Sequence, residues 1–184
     1  IPELAWHLID RFWPGPLTLI LPKTAGITDN VTSGLPTMAI RMPRNDVALA
    51  LIEEAGTPIA APSANSFGHP SPTSAKHVIE DLDGEISLVL DGGPTQVGIE
   101  STVLDLTRSQ PIILRPGGVS RETLAEILGE VSLYDESETI MLKSPGQMKK
   151  HYAPKAKLIL FDGRCRERVI MAMQEMVNEL KAEG

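Results

Sequence analysis

Trp13-Pro14-Gly15-Pro16-Leu17-Thr18-Leu19-Ile20-Leu21 is the stretch that decides the architecture. Two prolines around a glycine cannot continue a helix, and the apolar run behind them is short, so a turn that feeds a strand is expected. Upstream, residues 3–12 carry the spacing of an amphipathic helix. Helix, turn and strand make the first unit. Downstream, residues 37–43 alternate Thr37, Ala39 and Arg41 with Met38, Ile40 and Met42, the period-two pattern of a strand with one core face. That pattern aims Thr37 and Arg41 the same way.

The rest of the chain continues the mixture. Asn45 suits the cap of a helix whose inward positions are Ala48, Leu51, Ile52 and Ala55, with Gly56 at its stop. A short strand is expected at 58–61, then the small polar loop Ala61-Pro62-Ser63-Ala64-Asn65-Ser66-Phe67-Gly68. A strand that empties into such a loop offers hydroxyl, amide and backbone N–H groups together, as an anionic ligand requires. Thr73 or Ser74 starts the next helix, with Ala75, Val78, Ile79 and Leu82 inward. Strands are expected at 87–90, 101–106 and 112–115, and Ser120 caps a helix that ends at Gly129. This succession implies an α/β fold of α+β character, a twisted mixed sheet with flanking helices. Residues 1–132 then form one domain, 133–156 a linker, and 157–184 the start of a second domain, read from a strand at 158–161 and a helical stripe at Val169, Ala172, Met173, Met176, Val177 and Leu180.

Composition sets the frame: 184 residues, 42% apolar and 22% charged, describe a globular chain able to bury a sizeable core. A single cysteine, Cys165, rules out an internal disulfide and fits a reducing, cytoplasmic setting. No apolar run is long enough to span a bilayer. A net charge of -7 disfavours broad electrostatic capture of nucleic acid. Gly93 and Gly98 have P-loop spacing, but Ile99 and Glu100 follow where Lys and Ser or Thr are needed. His7, His69, His77 and His151 lack paired spacing, and neither Ser63 nor Ser101 sits in a Gly-x-Ser-x-Gly elbow. What remains is a set of hydroxyls and guanidiniums at strand ends: Thr37, Arg41, Ser63, Asn65, Ser71, Ser101, Thr102 and Arg115. Such a set suits carboxylate and phosphate. For each Ser or Thr an ordinary cap or turn role remains open, as does a structural salt bridge for Arg115.

Five motifs, in order, carry a family resemblance: Pro14-Gly15-Pro16-Leu17-Thr18, Ile40-Arg41-Met42-Pro43, Ala61-Pro62-Ser63-Ala64-Asn65, Glu100-Ser101-Thr102-Val103-Leu104-Asp105 and Leu114-Arg115-Pro116-Gly117. Together they resemble the YrdC-like threonylcarbamoyl-AMP synthases. Ser144-Pro145-Gly146-Gln147-Met148-Lys149-Lys150-His151-Tyr152-Ala153-Pro154 resembles the linker of that family's longer, two-domain branch, whose second domain is Rossmann-like. The resemblance implies that L-threonine, bicarbonate and ATP give threonylcarbamoyl-adenylate and pyrophosphate, with magnesium assisting and no tightly bound cofactor. The adenylate would pass to the machinery that modifies tRNA.

Carried onto this chain, the resemblance gives Arg41, Ala61 and Ser101 to the threonine, and Thr37, Ser63, Asn65, Ser71, Arg115 and Tyr152 to ATP. The family also pairs its Ser-x-Asn with an upstream Lys-x-Arg that this sequence lacks. The expectation is therefore a chain that begins inside the catalytic domain and is inert by itself. Two alternatives stand beside this reading: a relative that carbamoylates another acceptor, and a module that binds double-stranded RNA or tRNA.

Overall fold

The computed structural model describes residues 1–134 and 159–182. The chain divides into two compact units, Ile1–Ala153 and Pro154–Gly184. In the first lie α1 (Glu3–Phe12), β1 (Leu17–Pro22), α2 (Asp29–Thr32), β2 (Thr37–Ile40), α3 (Asp46–Ala55), α4 (Ala75–Leu82), β3 (Thr102–Asp105), β4 (Ile112–Arg115), α5 (Arg121–Leu128) and β5 (Ser132–Leu133). The second holds α6 (Arg166–Ala182).

The five strands form one mixed sheet in the order β2-β1-β3-β4-β5. β1 pairs antiparallel with β2 and parallel with β3, while β3–β4 is antiparallel and β4–β5 parallel. The alternation of β1 sorts its side chains onto two faces. Leu17, Leu19 and Leu21 join Leu104 and Ile113 on one face, where Ala5 and Leu8 of α1 and Leu124 of α5 cover them. The opposite face has a smaller apolar cluster of Ile20, Val103 and Leu114. It is the more polar face, and it carries Thr37, Ser101 and Arg115.

The helices follow their caps. Asn45 Oδ1 accepts from Ala48 N at 3.1 Å, and the side chains of Ser74 and Ser120 cap α4 and α5 in the same way. Their apolar stripes make helices but not a core: α3 and α4 bury no residue completely, and Leu51 and Ile79 are exposed. In α6 only Val169, Ala172 and Met176 of the expected stripe are half-buried, with Met173, Val177 and Leu180 exposed.

The strands expected at 58–61 and 87–90 do not form. A strand needs a neighbour to take its hydrogen bonds, and among the described residues neither segment has one. Ile59, Leu88 and Leu90 are accordingly exposed. The strand read over 37–43 stops at Ile40, because Met42 O accepts instead from Gly15 N at 2.9 Å. Met42 thereby leaves the core face and is exposed. Of the strand expected at 158–161, Leu158 is outside the described residues and the other three are irregular. Most of the expected linker, Tyr152 included, is outside them too. α2 and β5 have no counterpart in the sequence reading; each is too short to show a period.

Candidate active site

Main-chain bonds join the Pro14-Gly15-Pro16 turn to two other motifs, and join one of these, at Glu100, to the segment after Arg115. Gly15 N donates to Met42 O at 2.9 Å, Thr102 N donates to Pro16 O at 2.9 Å, and Gly118 N donates to Glu100 O at 3.0 Å. Segments distant in sequence thus converge at the start of β1 and β3. Gly117 allows the closest of these approaches: a Cβ there would lie 2.5 Å from Ser101 C and from Thr102 N. Behind this junction, the fully buried Thr102 hydroxyl donates to Val119 O at 2.6 Å and accepts from Val119 N at 3.0 Å, which fixes the Arg115–Val119 segment against β3.

Ser101 is the buried centre of the polar face. Its hydroxyl is 2.7 Å from Thr18 Oγ1 and accepts from Arg115 Nη2 at 3.2 Å. Its carbonyl accepts from Arg115 Nε at 3.2 Å and Nη2 at 3.0 Å. Arg115 reaches this face through a one-residue irregularity in the β3–β4 ladder, where Leu104 is opposite Ile113 but Val103 is opposite Arg115. An unbroken register would set Arg115 opposite Thr102, on the side of the leucine core. The bulge re-aims the guanidinium.

Arg41 follows directly after β2, and its guanidinium is pushed below the usual arginine range, first by burial and then by the positive charge of Arg115. Its side chain still reaches solvent, and no carboxylate among the described residues pairs with it. Thr37, in register with Pro22 at the sheet edge, is half-buried. An exposed guanidinium with no carboxylate partner among the described residues, within the field of a second that Ser101 holds, suits an anion.

The Ser63–Pro72 segment is organised differently. Asn65 Nδ2 donates to Ser66 O at 2.9 Å and His69 O at 3.2 Å, leaving the buried Asn65 Oδ1 without a partner among the described residues. Ser66 N donates to Asp81 Oδ2 at 2.7 Å, and His69 Nδ1 is 2.8 Å from Asp81 Oδ1. These bonds hold Asp81 below the usual carboxylate range, the Ser66 amide contributing most. Ala61 and Ser63 are exposed and Ser71 is half-buried. The bonds of Asn65 run to its own loop and not to the Ser101–Arg115 pair.

The sequence reading assigned no role to Thr18, His69, Asp81 or the bulge. Thr18 is visible in retrospect as the one polar residue alternating with Leu17 and Leu19. The His69–Asp81 pair gives no local signal, since it joins a loop to a helix. A cleft of about 440 Å³ lies behind the turn, lined by Arg11, Phe12, Trp13, Pro14 and Arg44 among others, and holds none of the candidate residues.

Comparison with known proteins agrees with this convergence. A family model for the Sua5, YciO and YrdC proteins, described as "Telomere recombination", matches residues 1–117. A second, described as "Threonylcarbamoyl-AMP synthase, C-terminal domain", matches residues 119–184. Threonylcarbamoyl-AMP synthase of Pyrococcus abyssi is 47% identical over 187 residues, which cover 100% of this chain and 55% of the relative. That of Bacillus subtilis is 50% identical over 179 residues, covering 95% of this chain and 51% of the relative. The chain therefore spans about half the length of these curated relatives. The crystal structure of P. abyssi Sua5 complexed with L-threonine superposes with a TM-score of 0.92 at 47% identity, covering 100% of this chain and 55% of that one. Escherichia coli YciO shares the fold, with a TM-score of 0.58 at 24% identity over 70% of this chain and 61% of that one. By the match over residues 1–117 and the motifs gathered around Ser101, the chain belongs to the Sua5, YciO and YrdC family.

Proposed function

We propose that the protein carrying this chain is a threonylcarbamoyl-AMP synthase, which uses L-threonine, bicarbonate and ATP to supply the adenylate for tRNA modification. The observation that carries the reading is the pair of guanidiniums, with Arg41 lacking a carboxylate partner among the described residues and lying within the field of Arg115. The relatives' names and the threonine complex of the P. abyssi protein support it. In this reading Arg41 grips the threonine carboxylate, and Ala61 and Ser101 shape that pocket. Thr37, Ser63, Asn65, Ser71 and Arg115 hold the nucleotide, and Tyr152 of the linker closes over it. Residues 1–132, 133–156 and 157–184 serve as catalytic domain, linker and start of the second domain.

The carboxylate of N-carboxy-threonine attacks the α-phosphorus of ATP, forming a new P–O bond as the bond to pyrophosphate breaks. No covalent enzyme intermediate is required. The residues contribute by positioning the two substrates and neutralising charge, and Arg115 is preorganised for this because Ser101 and the bulge already fix its direction. Among the described residues no group of three or more His, Cys, Asp or Glu side chains could cage a metal. In this reading magnesium would enter with the triphosphate and would neutralise part of its charge. The downstream acceptor is the tRNA threonylcarbamoyl-transfer machinery. No helix among the described residues is long and apolar enough to cross a membrane. A cytoplasmic setting belongs to this proposal because a single cysteine fits a reducing compartment.

The test is pyrophosphate release by the full-length protein, with threonine and bicarbonate each omitted in turn. Release is expected to require both, and Arg41→Ala is expected to raise the threonine KM at least about tenfold, the equivalent of one lost charge-assisted interaction. Release indifferent to threonine would sink the proposal.

A further inference from the structure

Asp81 is on α4, outside the polar loop, yet each of its carboxylate oxygens holds a different point of that loop. Oδ2 takes the Ser66 amide at 2.7 Å and Oδ1 meets the His69 ring at 2.8 Å. From within the same turn, Asn65 Nδ2 grips the carbonyls of Ser66 and His69. The turn is closed by His69 N donating to Ser66 O at 3.1 Å, with Gly68 at a φ of +84°. Residues 66 and 69 are thus held twice, by Asp81 from the helix and by Asn65 from the loop. Where Asp81 sets the turn, the Asn65 carboxamide must follow. That carboxamide keeps one buried oxygen without a partner among the described residues, so its direction decides what it can bind.

α4 is itself anchored independently of the Ser101 junction. Ser74 caps it, and Thr73 O accepts from Thr95 N at 2.9 Å. Its other charged side chains are engaged elsewhere: Lys76 lies 3.6 Å from Glu80, and His77 bonds Thr73. Asp81 is the α4 side chain that reaches the turn.

We propose that Asp81 is a positioning residue for the nucleotide: through Ser66 and His69 it latches the turn that directs Ser63, Asn65 and Ser71, without touching a substrate itself. This rests on the function proposed above. It acts mainly on the nucleotide side, because Arg41 and Ser101, the chief threonine contacts in that reading, belong to the Pro14-Gly15-Pro16 junction, to which the latch makes no bond.

The test compares Asp81→Ala, Asp81→Asn and His69→Ala in the full-length protein. Asparagine can keep the latch, since its oxygen accepts from Ser66 N and its amide donates to a neutral His69 whose Nδ1 is unprotonated. Alanine loses both bonds. Asp81→Ala is expected to raise the ATP KM about tenfold or more and the threonine KM by less than about twofold, as loss of the carboxylate's two bonds predicts. His69→Ala should give a smaller rise of the same kind, and Asp81→Asn should recover most of the parent's ATP KM. Hydrogen exchange across residues 63–72 should quicken in Asp81→Ala and stay near the parent's in Asp81→Asn. An unchanged ATP KM in Asp81→Ala, an equal rise for threonine, or Asp81→Asn as impaired as Asp81→Ala overturns the latch. A parent that releases no pyrophosphate overturns the proposed function alone. The latch is then judged by exchange, and an unaltered loop in Asp81→Ala overturns it.

Discussion

Gly117 has no side chain to contribute, and the site depends on that. The backbone of Ser101 and Thr102 occupies the space a Cβ would need, at 2.5 Å from Ser101 C and Thr102 N. Neither contact is the end of a flexible side chain, so Gly117→Ala must move backbone. Such overpacking costs about 1–3 kcal/mol. The displaced atoms belong to the residue that orients Arg115. A lower Tm is therefore expected together with a raised KM for both threonine and ATP, measured by thermal melting and by pyrophosphate release in the full-length protein. At this scale the sequence was informative about residue types but not about aim. Arg41, Ser101 and Arg115 stand out as hydroxyls and guanidiniums at strand ends, whereas the bulge that turns Arg115 onto the polar face is a shift of register between two paired strands and leaves no mark on either alone.

Helices and strands differ in how far each carries its own instructions. A helix closes its hydrogen bonds within itself, so Asn45, Ser74 and Ser120 announce α3, α4 and α5 from the sequence alone. Asn45 does more: its Oδ1 caps α3, while its Nδ2 donates to Gly92 O at 2.9 Å and ties the helix to a remote loop. Asn45→Asp keeps the cap acceptor and gives up the tie, whereas Asn45→Ala gives up both. The alanine variant is expected to lose about 1 kcal/mol more than the aspartate variant, by urea or guanidinium unfolding. A strand has no such independence. Residues 58–61 and 87–90 read as apolar strands yet form none, and the two-residue β5 forms because Ile112 and Ile113 of β4 pair with it. The period predicts which residues could line a sheet; only the neighbours decide whether a sheet is there.

At the scale of the whole molecule, four of the five motifs legible as a family signature are those that main-chain bonds draw together around Ser101, and the fifth is the loop of Asn65. That explains why a resemblance built on scattered short motifs carried more about the site than composition or charge did. The net charge of -7 places no residue, and the loop carrying Asn65 could be recognised without its anchor on α4 being visible. The central pairing of the sheet also has a history in time. β1 meets β2 soon after in the chain, but its other neighbour is β3, and Thr18 and Ser101 are separated by 83 positions. Closing so long a loop delays the pairing, because its entropy is lost before any contact compensates. Leu104→Ala, at a fully buried β3 position, is therefore expected to slow refolding, while Leu124→Ala on α5 chiefly speeds unfolding, as stopped-flow fluorescence would read. During synthesis, Leu17, Leu19 and Leu21 emerge long before Leu104, so β1 spends that interval with one edge open and its apolar face half covered. An interior strand of the finished sheet is thus, for much of its making, an open edge exposed to wrong pairing.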